Sequence, residues 1–207
     1  VERVTCPVVL IDRLTQCGWC DAVGFDNYLG GRLAAQYLLE GGHKRIGIVT
    51  GDVAESSAAD RRRGFVDAIE QAGERFDPAL CVSGDYRFDG GYHAADQIID
   101  GGATAVFCCN DVMALGFRQR MAERGLHVTE DMQVIGYDNI LRRFGLGLRM
   151  TTVEQSVVDL AAAGWGMLGS RIDAVVRGDG DSGAGRPWLA SPQVKVLTPK
   201  LVQAACA

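Results

Sequence analysis

No stretch of this 207-residue chain approaches the roughly 20 consecutive apolar residues that a membrane helix requires, which excludes a helical span. Val1-Glu2-Arg3-Val4 has neither an initiator methionine nor the basic and apolar regions of a signal peptide, so it is expected to be the cut end of a longer chain. A net charge of −5 leaves no basic excess for a nucleic-acid surface. Arg62-Arg63 and Arg142-Arg143 are short clusters among acidic neighbours, as on solvated faces. Any DNA contact would therefore come from a segment outside this chain.

The seven cysteines, an odd number, do not form a secreted disulfide framework. Cys17-Gly-Trp-Cys20 has redox or half-zinc spacing, but zinc would need two more ligands. The adjacent Cys108-Cys109 pair points to opposite sides of a strand and cannot supply them. Reduced thiols and no metal are expected.

Motifs of catalysis are equally scarce. There is no phosphate-binding Gly-x-x-x-x-Gly-Lys-Ser/Thr loop, no His-Glu-x-x-His and no Gly-x-Ser-x-Gly. Gly178-x-Gly180-x-x-Gly183 matches a dinucleotide fingerprint as text only. It follows a helix rather than a strand and sets aspartates where pyrophosphate would sit. His43, His93 and His127 fall at helix termini or surface turns, with no Ser or Cys partner. No enzyme and no cofactor are predicted.

What is present is strand–helix alternation. Apolar, β-rich runs occur at Val8–Ile11, Ala22–Phe25, Ile46–Thr50, Ala79–Val82, Ala105–Cys109 and Gln133–Tyr137, as for strands buried on both faces of a parallel sheet. Helical patterns lie between them at Leu29–Leu39, Asp60–Gln71, Gly90–Ile99 and Asp111–Arg124. This order predicts an α/β fold of βαβ units. A further helix runs to about Arg177, followed by a flexible acidic turn and a last strand at Val194–Leu197. The segment from Gly30-Gly31 to Gly41-Gly42 is echoed by Gly90-Gly91 to Gly101-Gly102. Two βα units solving one packing problem explain the echo.

The strand ends carry the chemistry. They read Asp12-Arg13, Asp26-Asn27, Asp85-Tyr86, Asn110-Asp111 and Asp138-Asn139. In open α/β sheets, ligands bind beyond the carboxyl ends of the strands. Carboxylates, amides, an arginine fork and an aromatic face on one rim suit a polyhydroxylated small molecule. Helix capping is the competing role, with Asn27, Asn110 and Asp111 the natural candidates.

Several segments, in order and spacing, resemble the lactose/galactose-repressor (LacI/GalR) family of transcriptional regulators. They include Pro7-Val-Val-Leu-Ile-Asp12-Arg13, Val23-x-x-Asp26-Asn27-x-x-Gly30 and Leu38-x-x-Gly41-x-His43-x-Arg45-Ile46. Asp60-Arg61-x-x-Gly64-Phe65, Gly84-Asp85-Tyr86, Asn110-Asp111-x-x-Ala114-x-Gly116, Gly136-Tyr137-Asp138 and Thr151-Thr152-Val153-x-Gln155 continue the series. The resemblance implies a two-lobed, periplasmic-binding-protein-like (type I) sandwich with parallel sheets and an incomplete N-terminal lobe. It divides the chain into residues 1–28 (partial N-terminal lobe), 29–153 (C-terminal lobe), 154–186 (return helix of the N-terminal lobe) and 187–207 (final strand of the C-terminal lobe, and tail).

It also implies a small-molecule effector in the interlobe cleft, most simply a sugar, held by Arg13, Asp26, Arg61, Tyr86, Asn110 and Asp138. The expected protein is a cytoplasmic homodimer, usually a repressor, whose operator DNA is bound by a helix-turn-helix not present in this chain. The alternative with the same fold is the solute-binding protein of an ABC-type sugar transporter. One departure is that Leu148-Arg149-Met150 replaces the prolines usual before Thr-Thr-Val.

Overall fold

In a computed structural model, which describes residues 6–14, 19–143, 150–177 and 191–204, the chain divides into two compact units. The larger comprises Asn27–Gln155 and Pro199–Ala207; the smaller comprises Val1–Asp26 and Ser156–Thr198.

The larger unit is built on a six-stranded sheet. Its strands are β3 (Ile46–Thr50), β4 (Cys81–Ser83), β5 (Ala105–Cys108), β6 (Gln133–Asp138), β7 (Thr152–Glu154) and β9 (Lys200–Val202), in the order β4-β3-β5-β6-β7-β9. All neighbours are parallel except β9, which runs antiparallel to β7 at the edge. Every residue of β3 and β5 is buried, which explains why these strands read as unbroken apolar runs rather than alternating ones.

Helices α1 (Asn27–Glu40) and α2 (Ser56–Gln71) cover one face, and α3 (Phe88–Asp100) and α4 (Asp111–Glu123) the other; the short α5 (Ile140–Arg143) follows β6. The assignment follows from the pleat. A Cβ on Gly47 would meet Ile98 of α3, whereas Phe107, level with Ile48 on the next strand, stacks 5.4 Å from Phe65 of α2.

The internal echo has a packing cause. A Cβ on Gly31 would lie 2.0 Å from the Arg61 carbonyl oxygen, and one on Gly64 would lie 2.0 Å from that of Tyr28. On the other face, Gly91 meets the Met113 carbonyl at 2.0 Å and Gly116 that of Phe88 at 1.9 Å. In both helix pairs each glycine abuts the residue three positions before its partner glycine. Only a missing side chain lets the helices cross at this distance.

The smaller unit has the parallel order β1 (Val9–Ile11), β2 (Asp21–Phe25) and β8 (Val194–Leu197), with α6 (Val157–Arg177) across it. Val23, Phe25 and Leu160 form its core, with Ala163 and Met167 against them. Buried Asp21 takes two 2.7 Å bonds from Arg171 and one of 2.8 Å from the Gln193 N–H, which ties α6 to the sheet and to the start of β8.

Four expectations are corrected. The assignment of 187–207 to the C-terminal lobe fails, because β8 pairs with β2 in the smaller unit and only β9 joins the larger sheet. A single predicted last strand is two, since the chain changes sheet at Thr198-Pro199. The strand predicted at Ala79–Val82 starts at Cys81, because Pro78 and the Asp77 cap turn residues 78–80 into a short 3-10 helix. Cys20 is disulfide-bonded rather than reduced, with Cys6, Cys81, Cys108 and Cys109 free; an odd total does not stop two thiols pairing. Cys17, Cys206, residues 144–149 of the loop with Leu148-Arg149, and the Gly178–Gly183 turn lie outside the described residues.

Candidate functional site

The carboxyl ends of the six-stranded sheet gather Tyr86 beyond β4, Cys109 and Asn110 beyond β5, Tyr137 and Asp138 at the end of β6, and Gln155 beyond β7. Arg61 reaches this rim from α2. Its backbone carbonyl packs closely against Gly31 of α1, where a side chain would not fit.

Arg61 is 5 % exposed and almost fully engaged. Nε donates to Asn27 Oδ1 at 2.8 Å, and Nη1 donates to the Cys109 carbonyl at 2.6 Å. The guanidinium lies 3.7 Å from the centroid of the Tyr137 ring and 6.0 Å from that of Tyr86. Nη2 points toward Asp138 Oδ1 at 3.9 Å, a charge contact too long for a hydrogen bond. Burial opposes the charge, yet the pKa of Arg61 is raised by Tyr137, Asp138, Cys109 and Tyr86 around it. A desolvated cation is thus held by a π-face, a carbonyl, an amide oxygen and a nearby carboxylate.

Asn27 Oδ1 is the hub behind the arginine. It accepts from Arg61 Nε, from Gln155 Nε2 at 3.1 Å and from the Tyr137 hydroxyl at 3.5 Å. Gln155 Nε2 also donates to the Tyr137 oxygen at 3.0 Å. Burial pushes the Tyr137 hydroxyl up to about 12, against the opposing pull of Arg61, so it remains a neutral phenol. Burial likewise moves the Cys109 thiol to about 12, which removes it as a nucleophile at neutral pH.

The left-handed backbone region explains much of the Asp and Asn at the strand ends. Asp12 (φ 61°), Asp85 (50°), Asp138 (94°) and Asn139 (57°) occupy it, as does Tyr86 (59°). Short polar side chains tolerate this region better than others, so these residues serve turns rather than helix caps. Tyr86 is a costlier occupant. Its ring lies over Gly51, where a Cβ would come within 2.1 Å, and its buried hydroxyl has no partner of hydrogen-bond geometry among the described residues. Burial raises the pKa of that phenol, with the Arg61 charge opposing.

Of the six residues the resemblance implies, Arg61, Tyr86, Asn110 and Asp138 share this rim. Asn110 is largely consumed structurally. Its Oδ1 caps the Met113 N–H at 2.8 Å and its Nδ2 donates to the Tyr86 carbonyl at 3.0 Å. Arg13 and Asp26 belong to the smaller unit. There Arg13 is exposed after β1 and Asp26 is half-buried after β2, its N–H bonded to the Leu197 carbonyl at 2.9 Å. Sequence reasoning missed the supporting shell of Asn27, Tyr137 and Gln155. Their segments were visible, but their convergence on one oxygen spans 128 residues of sequence.

Among the described residues, no group of three or more His, Cys, Asp or Glu could hold a metal ion, and no helix is long and apolar enough to cross a membrane.

Residues 35–195 match the periplasmic binding protein-like domain. The HTH-type transcriptional repressor PurR of Pasteurella multocida is 38% identical over 169 residues, covering 81% of this chain and 51% of the repressor. The chain thus spans about half the length of the curated relatives it matches. A LacI-family transcriptional regulator of Enterococcus faecium, solved with bound ribose, superposes with a TM-score of 0.81 at 26% identity, covering 96% of this chain and 69% of that one. The regulator CelR in complex with cellobiose gives 0.76 at 28%, covering 89% and 53%.

Proposed function

Because the chain belongs to the periplasmic binding protein-like domain family, in the form carried by LacI-family regulators, we propose that it is the ligand-sensing domain of a DNA-binding transcriptional repressor. The whole protein would act in the cytoplasm as a homodimer, with operator DNA bound by a separate helix-turn-helix segment. The matched relatives are regulators, which favours sensing over delivery of a solute to a transporter.

The effector is a small hydroxyl-rich metabolite, a sugar or sugar derivative. One observation carries this reading: Arg61 is buried, stacked and oriented, and faces the Asp138 carboxylate across 3.9 Å, beyond hydrogen-bond reach. A ligand hydroxyl can accept from the guanidinium and donate to the carboxylate at once, which a methyl group cannot do. Two regulators of similar fold hold ribose and cellobiose, both hydroxyl-rich. Arg13, Asp26, Tyr86 and Asn110 are the other proposed contacts, Asn110 with the least polar capacity to spare. The effector would change operator affinity only by binding one conformation better than another.

Calorimetric titration with ribose, cellobiose and a panel of sugars and nucleosides tests the proposal. Arg61→Ala should weaken the ligand that binds by roughly ten- to a hundredfold, or about 1.5–3 kcal/mol. Unchanged affinity in that variant removes Arg61 from the site.

A further inference from the structure

A second carboxylate bonds the chain beside Asp138, and it belongs to Asp111. It stands at the start of α4, where helix capping would be its ordinary task, yet its side chain turns the other way and is 0 % exposed. One oxygen accepts from the Ile140 N–H at 2.7 Å and the other from the Thr152 hydroxyl at 2.7 Å. The Leu141 and Tyr137 backbones also bond it. The carboxylate therefore clamps the chain on both sides of Asp138-Asn139 and fastens it to β7. A Cβ on Gly136 would come within 2.2 Å of the same oxygen, so the strand is shaped to receive it.

The clamped turn needs holding. Asp138 and Asn139 are consecutive non-glycine residues in the left-handed region, an arrangement that persists only where surrounding bonds impose it. Asp111 supplies those bonds from the face away from Arg61, and Asn139 adds one from its Nδ2 to Glu154 at 3.0 Å. Burial raises the pKa of Asp111, and the four bonds it accepts counter that cost.

We infer that Asp111 is the positioning residue of the effector site: through Ile140 and Thr152 it sets the turn that aims the Asp138 carboxylate at Arg61. The inference rests on the reading of Arg61 and Asp138 as ligand-facing, but its test needs no ligand.

The test is a double-mutant cycle on the ligand-free protein, read as the urea midpoint of unfolding. Asp138→Asn removes the carboxylate facing a buried guanidinium and should lower the midpoint in the parent protein. In an Asp111→Ala background the turn is released, so Asp138→Asn should lower the midpoint by less than half as much. Asp111→Asn should restore the full effect. Its oxygen can still accept from Ile140, and its amide can donate to the Thr152 hydroxyl. If Asp111→Ala does not fold, Asp111→Ser runs the same cycle, since a single short hydroxyl cannot span both partners. Equal midpoint shifts for Asp138→Asn in every background would overturn the inference, because a merely structural carboxylate gives additive effects. Unchanged effector affinity in Arg61→Ala would overturn the site instead and leave the cycle standing.

Discussion

The Arg61 guanidinium carbon lies 3.7 Å from the centroid of the Tyr137 ring, so an arginine from α2 is seated on an aromatic at the end of β6. The contact fixes the plane of the guanidinium, while Asn27 and the Cys109 carbonyl fix its rotation. A flat, forked cation is needed here; a point charge cannot satisfy all three neighbours. Arg61→Lys keeps the charge and loses the fork. It should lose at least tenfold in effector affinity, measured by calorimetry, and about 1–2 kcal/mol of stability. Parent-like binding by the lysine variant would mean that charge alone suffices.

Asn27→Ala tests the hub. The substitution leaves the buried Arg61 Nε–H and the Tyr137 hydroxyl without the Asn27 acceptor and leaves Gln155 Nε2 only its bond to the Tyr137 oxygen. Chemical denaturation should record a loss of about 1–3 kcal/mol. Gln155→Ala, which leaves the Arg61–Asn27 bond intact, should cost less than Asn27→Ala. The reverse order would place the hub on Gln155.

The reciprocal glycine contacts predict substitutions of opposite sign. Gly31→Ala sets a methyl 2.0 Å from a backbone oxygen that cannot move without separating α1 from α2, and should cost about 3 kcal/mol. Gly166 lies within α6, and a methyl there would meet nothing within 4 Å among the described residues, so Gly166→Ala should gain about 0.5–1 kcal/mol from helix propensity. Melting temperatures of the two variants should move in opposite directions.

Asp21 gives the smaller unit an acid-sensitive bond. Burial alone would raise its pKa, but the paired bonds from Arg171 and the Gln193 N–H outweigh burial and hold it below 3.8. A carboxyl whose folded pKa is depressed stabilises the fold fully above the unfolded value. That stability is lost as pH falls from about 3.8 through the folded value. Asp21→Asn should therefore cost about 2 kcal/mol at pH 7, screened by nearby solvent, and the loss should shrink below about pH 4. A constant difference between the two proteins from about pH 7 to about pH 3 would show that Asp21 does not carry this acid response.

Much of the fold was legible because its signals are local. The unbroken apolar runs of β3, β5 and β6 announce strands buried on both faces, and the two Gly-Gly helices announce close helix packing. The Asp and Asn residues closing the strands mark the rim, since few other side chains accept the left-handed backbone there. Asp138 was therefore within reach of a reading by residue type and position, whereas Arg61, which comes from a helix, was implied only by the family resemblance.

What tertiary structure alone decided is which of these polar groups face one another. Asn110 and Asp111 are adjacent in sequence and equally plausible as caps. The fold spends Asn110 on the Met113 N–H and turns Asp111 toward Ile140 and Thr152. The hub joins Asn27, Arg61, Tyr137 and Gln155, and no local pattern encodes a contact across 128 residues. The switch of sheet between β8 and β9 is equally invisible, because both are short apolar segments and only available edges choose their partners. Local sequence determines elements and their polar ends through backbone sterics and burial. The site arises only when long-range packing brings those ends within hydrogen-bonding distance.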